Sequence, residues 1–450
     1  MRLLITLFVY VLSITTLFGQ WITNNMSAGR NTLTSASYQG KIYLISGTNG
    51  GNSIAHNSVD VINPTTTALD TTLYMPKGVG YAQAVAGDSG LYVAGGFRPS
   101  SSNVYVGTKY FQVYKNGAWS IDSSLASGVM NHAMVKVGNK IIIAGGLKEI
   151  LWNSSNEAET VFTDSVSIYD EATGQWSYTK LSQPRGYIAV ATDGNIAMFA
   201  GGISGINKTS KVIDIYNAST NKWSVDSLSV PRGGACGAYV NGEFVFAGGI
   251  VNGTQHTTRI DIYDGSLWSI AYLSSARYGA QAAVVGNNIV FAGGGTMNLN
   301  NYNWSSVSNR VEIYNKSTGV TAVNSLSAPR IAHTAAAVGN TVIVAGGWNN
   351  GSELYTYESW KVAIGIPELN NHSEDLKLYP NPTAGAFTLD FNNQTFDGQL
   401  EIFSMNGQSV YHQDINSQAI LEFNLELPKG LYFLRLSSQN QNLTQRLVIQ

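Results

Sequence analysis

A pair of glycines closing a strand-like apolar run recurs along this chain, and no other feature limits its fold so tightly. The pairs are Gly95-Gly96, Gly145-Gly146, Gly201-Gly202, Gly248-Gly249, Gly293-Gly294 and Gly346-Gly347, with Ser46-Gly47 as a degenerate first copy. Successive anchors lie 45 to 56 residues apart, the period of a four-stranded unit in a radial all-β repeat. A phosphate loop would need a helix N-terminus after the glycines, with Lys-Ser/Thr or a third spaced Gly. Here more strand pattern follows each pair. The glycines therefore read as punctuation, placed where a chain leaves a crowded inner strand and a Cβ would obstruct it.

Other residues recur in phase. A strand ending in Tyr follows each pair: Tyr114, Tyr169, Tyr216, Tyr263, Tyr314 and Tyr357, with Ile62 in the first copy. Trp119, Trp176, Trp223 and Trp268 come five to seven residues later, and Val320 stands in the sixth copy. Nine residues after these Trp lie Gly128, Arg185, Arg232 and Arg277. Sixteen residues after each of those Arg comes the next Gly pair.

This pattern resembles the kelch repeat, over residues 21 to about 360. The resemblance implies a seven-bladed β-propeller, or six blades if the degenerate first copy is discounted. Trp21 lies nine residues before Arg30, which lies sixteen before Ser46. The chain is thus expected to begin with a fourth strand and to give it to the last blade, closing the ring.

The first residues read as a secretory signal, residues 1–19, with Arg2 ahead of an apolar run from Leu3 to Phe18. The alternative is an uncleaved anchor, for which this run is short. The one cysteine, Cys236, excludes an intramolecular disulfide and reads as a small buried apolar residue. A formal net charge of -2 with 12% charged residues offers no basic field, so nucleic acid is not an expected partner.

Composition shifts at a polar linker, residues 363–375, which bounds a propeller expected over 20–362. The last segment, 376–450, alternates apolar and polar residues like a small β-sandwich. It carries "YPNPTAG", with Tyr379, Pro380, Asn381, Pro382 and Gly385, then Gly407 in "MNGQ" and Gly430 in "LPKGLYFLRL". These motifs resemble the C-terminal sorting domain of proteins exported by the type IX secretion system of Bacteroidota. That implies recognition by the outer-membrane translocon, removal by its sorting protease, and a product released or attached to the cell surface.

In a propeller, the loops after the Gly pairs share a face with the loops that enter each blade. The second kind carries Arg30, Arg185, Arg232, Arg277 and Arg330, with Lys77 in the second copy. Three of the first kind are long, Phe97 to Lys109, Leu147 to Asp164 and Gly295 to Asn309, and hold Trp152, Tyr302 and Trp304. Aromatic faces and Arg forks on one face suit a glycan, above all an acidic one. The same Arg could instead hold blades together. No spacing suggests a metal site, and no cofactor is expected. Some kelch proteins are copper radical oxidases, but Cys236 has no accompanying motif. The resulting expectation is a surface or released module binding a glycan or protein. A carbohydrate-active enzyme, such as a sugar mutarotase, is the alternative.

Overall fold

A computed structural model describes residues 21–50, 54–101, 104–152, 158–301, 303–316, 318–361, 376–392, 394–404, 409–438 and 442–450. The expected signal segment and the linker lie outside these residues. The chain divides into two compact units, Met1–Val362 and Ala363–Gln450.

The first unit contains seven four-stranded antiparallel sheets of matching internal order among the described residues. Sheet one is Thr34–Tyr38, Lys41–Ile45, Ser58–Ile62 and Leu69–Tyr74, each strand paired to the next. Sheets two to six repeat that order, starting at Gln83, Ala133, Ala189, Cys236 and Gln281. Sheet seven has Thr334–Val338, Thr341–Ala345 and Thr356–Lys361, and its fourth strand is Ile22–Asn25. The register there is Ile22↔Ser359 to Asn25↔Thr356. First strands of successive sheets touch one another, and the first strand of sheet seven touches that of sheet one.

The sequence explains each strand. Second strands, such as "IIIA" and "FVFA", are buried on both faces, so they are apolar throughout. Phe199, Phe246 and Phe291 there are wholly buried, each worth about 1.5–3 kcal/mol. The recurrent Tyr and Trp are cross-strand partners between the third and fourth strands: Tyr114↔Trp119, Tyr169↔Trp176, Tyr216↔Trp223 and Tyr263↔Trp268. Their ring centroids lie 5.0 to 5.2 Å apart. In sheet six Tyr314 faces Val320.

Sheet seven requires a correction. Trp360, not Tyr357, takes the Tyr position: Val342 pairs with Trp360 as Phe244 pairs with Tyr263. Trp360 lies 5.9 Å from Trp21, which reproduces the aromatic pair with two tryptophans.

The second unit is two sheets around one core. Lys377–Tyr379, Ala386–Asp390 and Ile420–Asn424 form the smaller. Phe396–Ser404, Ser409–Gln418, Gly430–Ser437 and Asn442–Ile449 form the larger. Phe387, Leu389, Phe423, Leu400, Leu434 and Leu447 are among the buried residues between them.

The sorting-motif residues have local work. Tyr379-Pro380 and Asn381-Pro382 are cis. The Asn381 amide donates to the carbonyl of Arg446 and accepts the N–H of Val448, tying the motif to the last strand. Gly385 sits at φ +124, where a Cβ would come within 2.4 Å of the Leu425 carbonyl. Gly430 opens a strand opposite Ile449, and Gly407 lies outside the described residues.

Candidate functional site

The site is built on the segment that enters each sheet. Arg30, Arg185, Arg232, Arg277 and Arg330 are 0 to 2% exposed. Each pairs with a carboxylate on the third strand of its own sheet. The partners are Asp60 at 2.8 Å, Asp214 at 2.7 Å, and Asp261, Glu312 and Glu358 at 2.5 Å. The same carboxylates accept the N–H groups of Ser27, Ser182, Ser229, Ser274 and Ser327, three residues before each Arg. Burial pulls each guanidinium pKa down, and its carboxylate pulls it back up. Thus each Arg locks an entry loop onto its sheet.

Sheets two and three lack this pair, and the missing partners are replaced together. Lys77 does not occupy the Arg position expected of it: the residue sixteen before Gly95 is Val79. That position is Val79 in sheet two and Val129 in sheet three, because their carbonyls accept the same glycine N–H that an Arg carbonyl accepts elsewhere. The carboxylate positions are Gln112 and Ser167, which accept the N–H groups of Lys77 and Ala126. Lys77 itself is exposed.

The glycine pairs serve this junction. The second residue of each pair donates its N–H to the next entry segment: Gly47 to Val79, Gly96 to Val129, Gly146 to Arg185, Gly202 to Arg232, Gly249 to Arg277 and Gly294 to Arg330. A Cβ on Gly201, Gly248 or Gly293 would come within 2.4 to 2.7 Å of the same Arg carbonyls. Ser46 is tolerated because its hydroxyl hydrogen-bonds the carbonyls of His56 and Val79 and accepts the Val79 N–H.

Two residues beyond each Arg position, the chain turns through left-handed φ of +49° to +66°, at Thr32, Tyr81, Asn131, Tyr187, Gly234, Gly279 and Ala332. Thr32 donates its N–H to Ala332, Tyr81 to Thr32, Asn131 to Tyr81, Tyr187 to Asn131, Gly234 to Tyr187 and Gly279 to Gly234, at 2.8 to 3.2 Å. All seven residues line one cavity of about 620 Å³. This is within the usual range of about 300–1,000 Å³ for a small-molecule site.

The turns differ in bulk. Tyr81, Asn131 and Tyr187 carry large side chains at three successive turns, whereas beside Gly234 the Tyr278 ring fills the space, lying within 2.0 Å of where a Cβ would be. Chain after the glycine pairs raises its walls. Phe97–Ser101, Val104–Gly107, Leu147–Trp152 and Ala158–Phe162 make a four-stranded sheet joining the loops of sheets two and three. It contributes Tyr105 and Ile150. The hairpin Gly295–Asn298 and Asn303–Val307 contributes Trp304, whose ring lies 5.4 Å from Trp348. Trp152 ends a strand of that wall with its side chain outside the described residues, and Tyr302 lies outside them altogether.

The chemistry of the lining is amide and aromatic. Asn31, Gln83, Asn131, Gln281 and Asn303 supply amides, and Glu353 is the one acidic residue among the described lining residues. Among the described lining residues none is Arg or Lys, so the expected meeting of guanidinium groups and aromatics is not found there: Arg30, Arg185, Arg232, Arg277 and Arg330 are held in buried pairs. His132 and His333 also line the cavity, 3% and 2% exposed, and burial holds each imidazole near pKa 3 and neutral. His333 Nε2 lies 3.0 Å from the Ala292 carbonyl. Cys236 is buried in sheet five, where burial pushes its thiol up to about 11. Among the described residues no group of three or more His, Cys, Asp or Glu is placed to hold a metal ion.

Sequence reasoning found Trp304 but missed Asn131, Tyr187 and the amides. The only signal for Asn131 and Tyr187 is their place two residues after the Arg position, where residue type varies from copy to copy; Asn31, Gln83, Gln281 and Asn303 do not lie at that spacing.

Residues 377–450 match the secretion system C-terminal sorting domain. The protein is therefore exported by type IX secretion, to the cell surface or into the medium, and its last unit engages that machinery. No curated protein matches the chain. Among solved structures, that of YjhT matches with TM-score 0.52 at 17% identity, covering 67% of this chain and 99% of that one. At this identity the likeness is one of fold: an all-β, propeller-like body. As 521 solved chains match, the fold by itself selects no activity.

Proposed function

We propose that residues 21–361 form a seven-bladed kelch-type β-propeller, closed by the strand Ile22–Asn25, which serves outside the cell as a binding module for a glycan. The blade count is supported by seven sheets of one order and by the pairing of Ile22–Asn25 with Thr356–Lys361. The kelch reading is supported by the Gly pair, the Tyr–Trp cross-strand pair and the buried Arg recurring together.

The observation that carries the binding role is the cavity lining. Tyr81, Tyr105, Tyr187, Tyr278, Trp304 and Trp348 offer apolar ring faces beside five side-chain amides. Sugar rings present an apolar face and a rim of hydroxyls, which these two kinds of group complement.

Glycan-array binding by the purified chain tests this, with Trp304→Ala and Tyr187→Ala as variants. Binding lost in both places the ligand in the cavity; an array without signal removes the reading. If a bound sugar were turned over, the module would be a carbohydrate-active enzyme, and Glu353 is the cavity carboxylate to substitute first.

A further inference from the structure

We infer that the ligand of this cavity is an uncharged sugar, and that the site discriminates against sugars carrying a carboxylate, sulfate or phosphate. The inference rests on the glycan-binding reading and specifies its class.

An anionic sugar settling into this half-open cavity loses part of its hydration and gains no cationic partner in return, and an unpaired charge that is even partly desolvated is costly. The described lining offers none. The five guanidinium groups closest in sequence to the left-handed turns are already held by Asp60, Asp214, Asp261, Glu312 and Glu358. The two cavity histidines are neutral at physiological pH. The one formal charge among the described lining residues belongs to Glu353, which repels an anion.

What the cavity does offer suits hydroxyl groups. A sugar hydroxyl both donates and accepts, and so does a carboxamide. Asn131 is 9% exposed, lines the cavity, and its Nδ2 has no hydrogen-bond partner. That donor is closed off from the cavity in this conformation, and a neutral oxygen meeting it after a rotation of the side chain would satisfy it without any charge compensation. The Trp304 and Trp348 rings supply the apolar surface on which the ring of such a sugar stacks.

Isothermal titration of the purified chain with matched pairs decides this: glucose against glucuronate, galactose against galacturonate, and N-acetylglucosamine against its 6-sulfate. The expected result is binding of at least one neutral sugar, its acidic counterpart being at least about tenfold weaker. Asn131→Ala and Trp304→Ala should each weaken the neutral sugar by at least about tenfold, with melting temperatures reported beside them. Since Trp304 is only half-buried on a hairpin, its variant keeps the test valid if Asn131→Ala fails to fold. An acidic sugar bound as well as or better than its neutral partner overturns the inference while leaving glycan binding intact. Binding that neither folded variant weakens overturns it too, because the ligand then sits elsewhere. Binding of neither class overturns both this inference and the reading beneath it.

Discussion

The N–H of Gly347 donates to the carbonyl of Arg30 at 3.0 Å, fastening the turn of sheet seven to the entry of sheet one. The same bond joins every other successive pair of sheets. The pair therefore belongs to a junction between sheets: Gly347 gives its N–H to the Arg30 carbonyl, and a Cβ on Gly346 would come within 2.6 Å of the same oxygen.

Substituting such a glycine is expected to destabilise the unit. Gly248 sits at φ +68, and a Cβ there would lie 2.7 Å from the Arg277 carbonyl. Gly248→Ala should lower unfolding stability by more than about 1 kcal/mol. Ser46→Gly, which restores the repeat, should also destabilise, by about 1 kcal/mol, because the Ser46 hydroxyl accepts the Val79 N–H and shares its one hydrogen between the carbonyls of His56 and Val79. Denaturant titration of each variant measures both. A stabilised Ser46→Gly would refute the second.

Arg232→Ala should cost about 3–5 kcal/mol, since Asp261 is left charged and buried. The double change Arg232→Val with Asp261→Ser copies what sheet three has at Val129 and Ser167. It should recover at least half of that loss. A double variant no more stable than the single would show that the two natural exceptions depend on their own surroundings instead.

Acid should weaken the unit through His132 and His333. Their folded pKa values, about 3, lie below the unfolded value of about 6.5. Between those limits the unfolded chain holds more protons, so stability rises with pH and is lost as pH falls below about 6.5. The slope is up to about 1.4 kcal/mol per pH unit for each histidine. Denaturation midpoints at pH 7, 6, 5 and 4 give the slope. His132→Phe should reduce it, and an unchanged slope would contradict the assignment.

Removing residues 20–25 strips sheet seven of its fourth strand and leaves the edge of Thr356–Lys361 unpaired. The shortened chain should melt lower and aggregate more readily. Light scattering during a thermal ramp reads both effects, and a shortened chain that matches the parent would count against the closed ring.

In the sorting unit, Asn381→Ala removes two bonds to the last strand, each worth about 0.5–1.5 kcal/mol. The variant should be exported less efficiently, as measured by the fraction of chain reaching the cell surface or medium. Export at the parental level would show that the motif's shape survives without the amide.

Much of the architecture was legible because repetition multiplies weak signals. One Gly pair means little, whereas seven anchors in phase with Tyr and Trp define sheets and their register. The failures came where a copy departs from the others. Trp360 was misplaced because Tyr357, three residues earlier, also fits the pattern. Val79 and Val129 went unrecognised although each lies sixteen residues before its Gly pair, because neither is basic and the count from Trp119 leads to Gly128 instead. The carboxylates were visible in strings such as "IDIY", yet only distance reveals that Asp261 meets Arg232. The cavity was least legible. Tyr187 and Gly234 occupy one structural position with opposite side chains, so a repeat search discards the variation that shapes the site.

The strand Ile22–Asn25 also imposes an order in time. These residues leave the ribosome long before their partners Thr356–Lys361, which follow only after the other strands of the unit have been made. At about 5–20 residues per second, synthesis separates the two by roughly half a minute. Over that interval six sheets can form from contiguous sequence while the seventh cannot. Pairing of the first strand with the last thus marks a chain synthesised to the end of the unit, and a truncated chain can never make it.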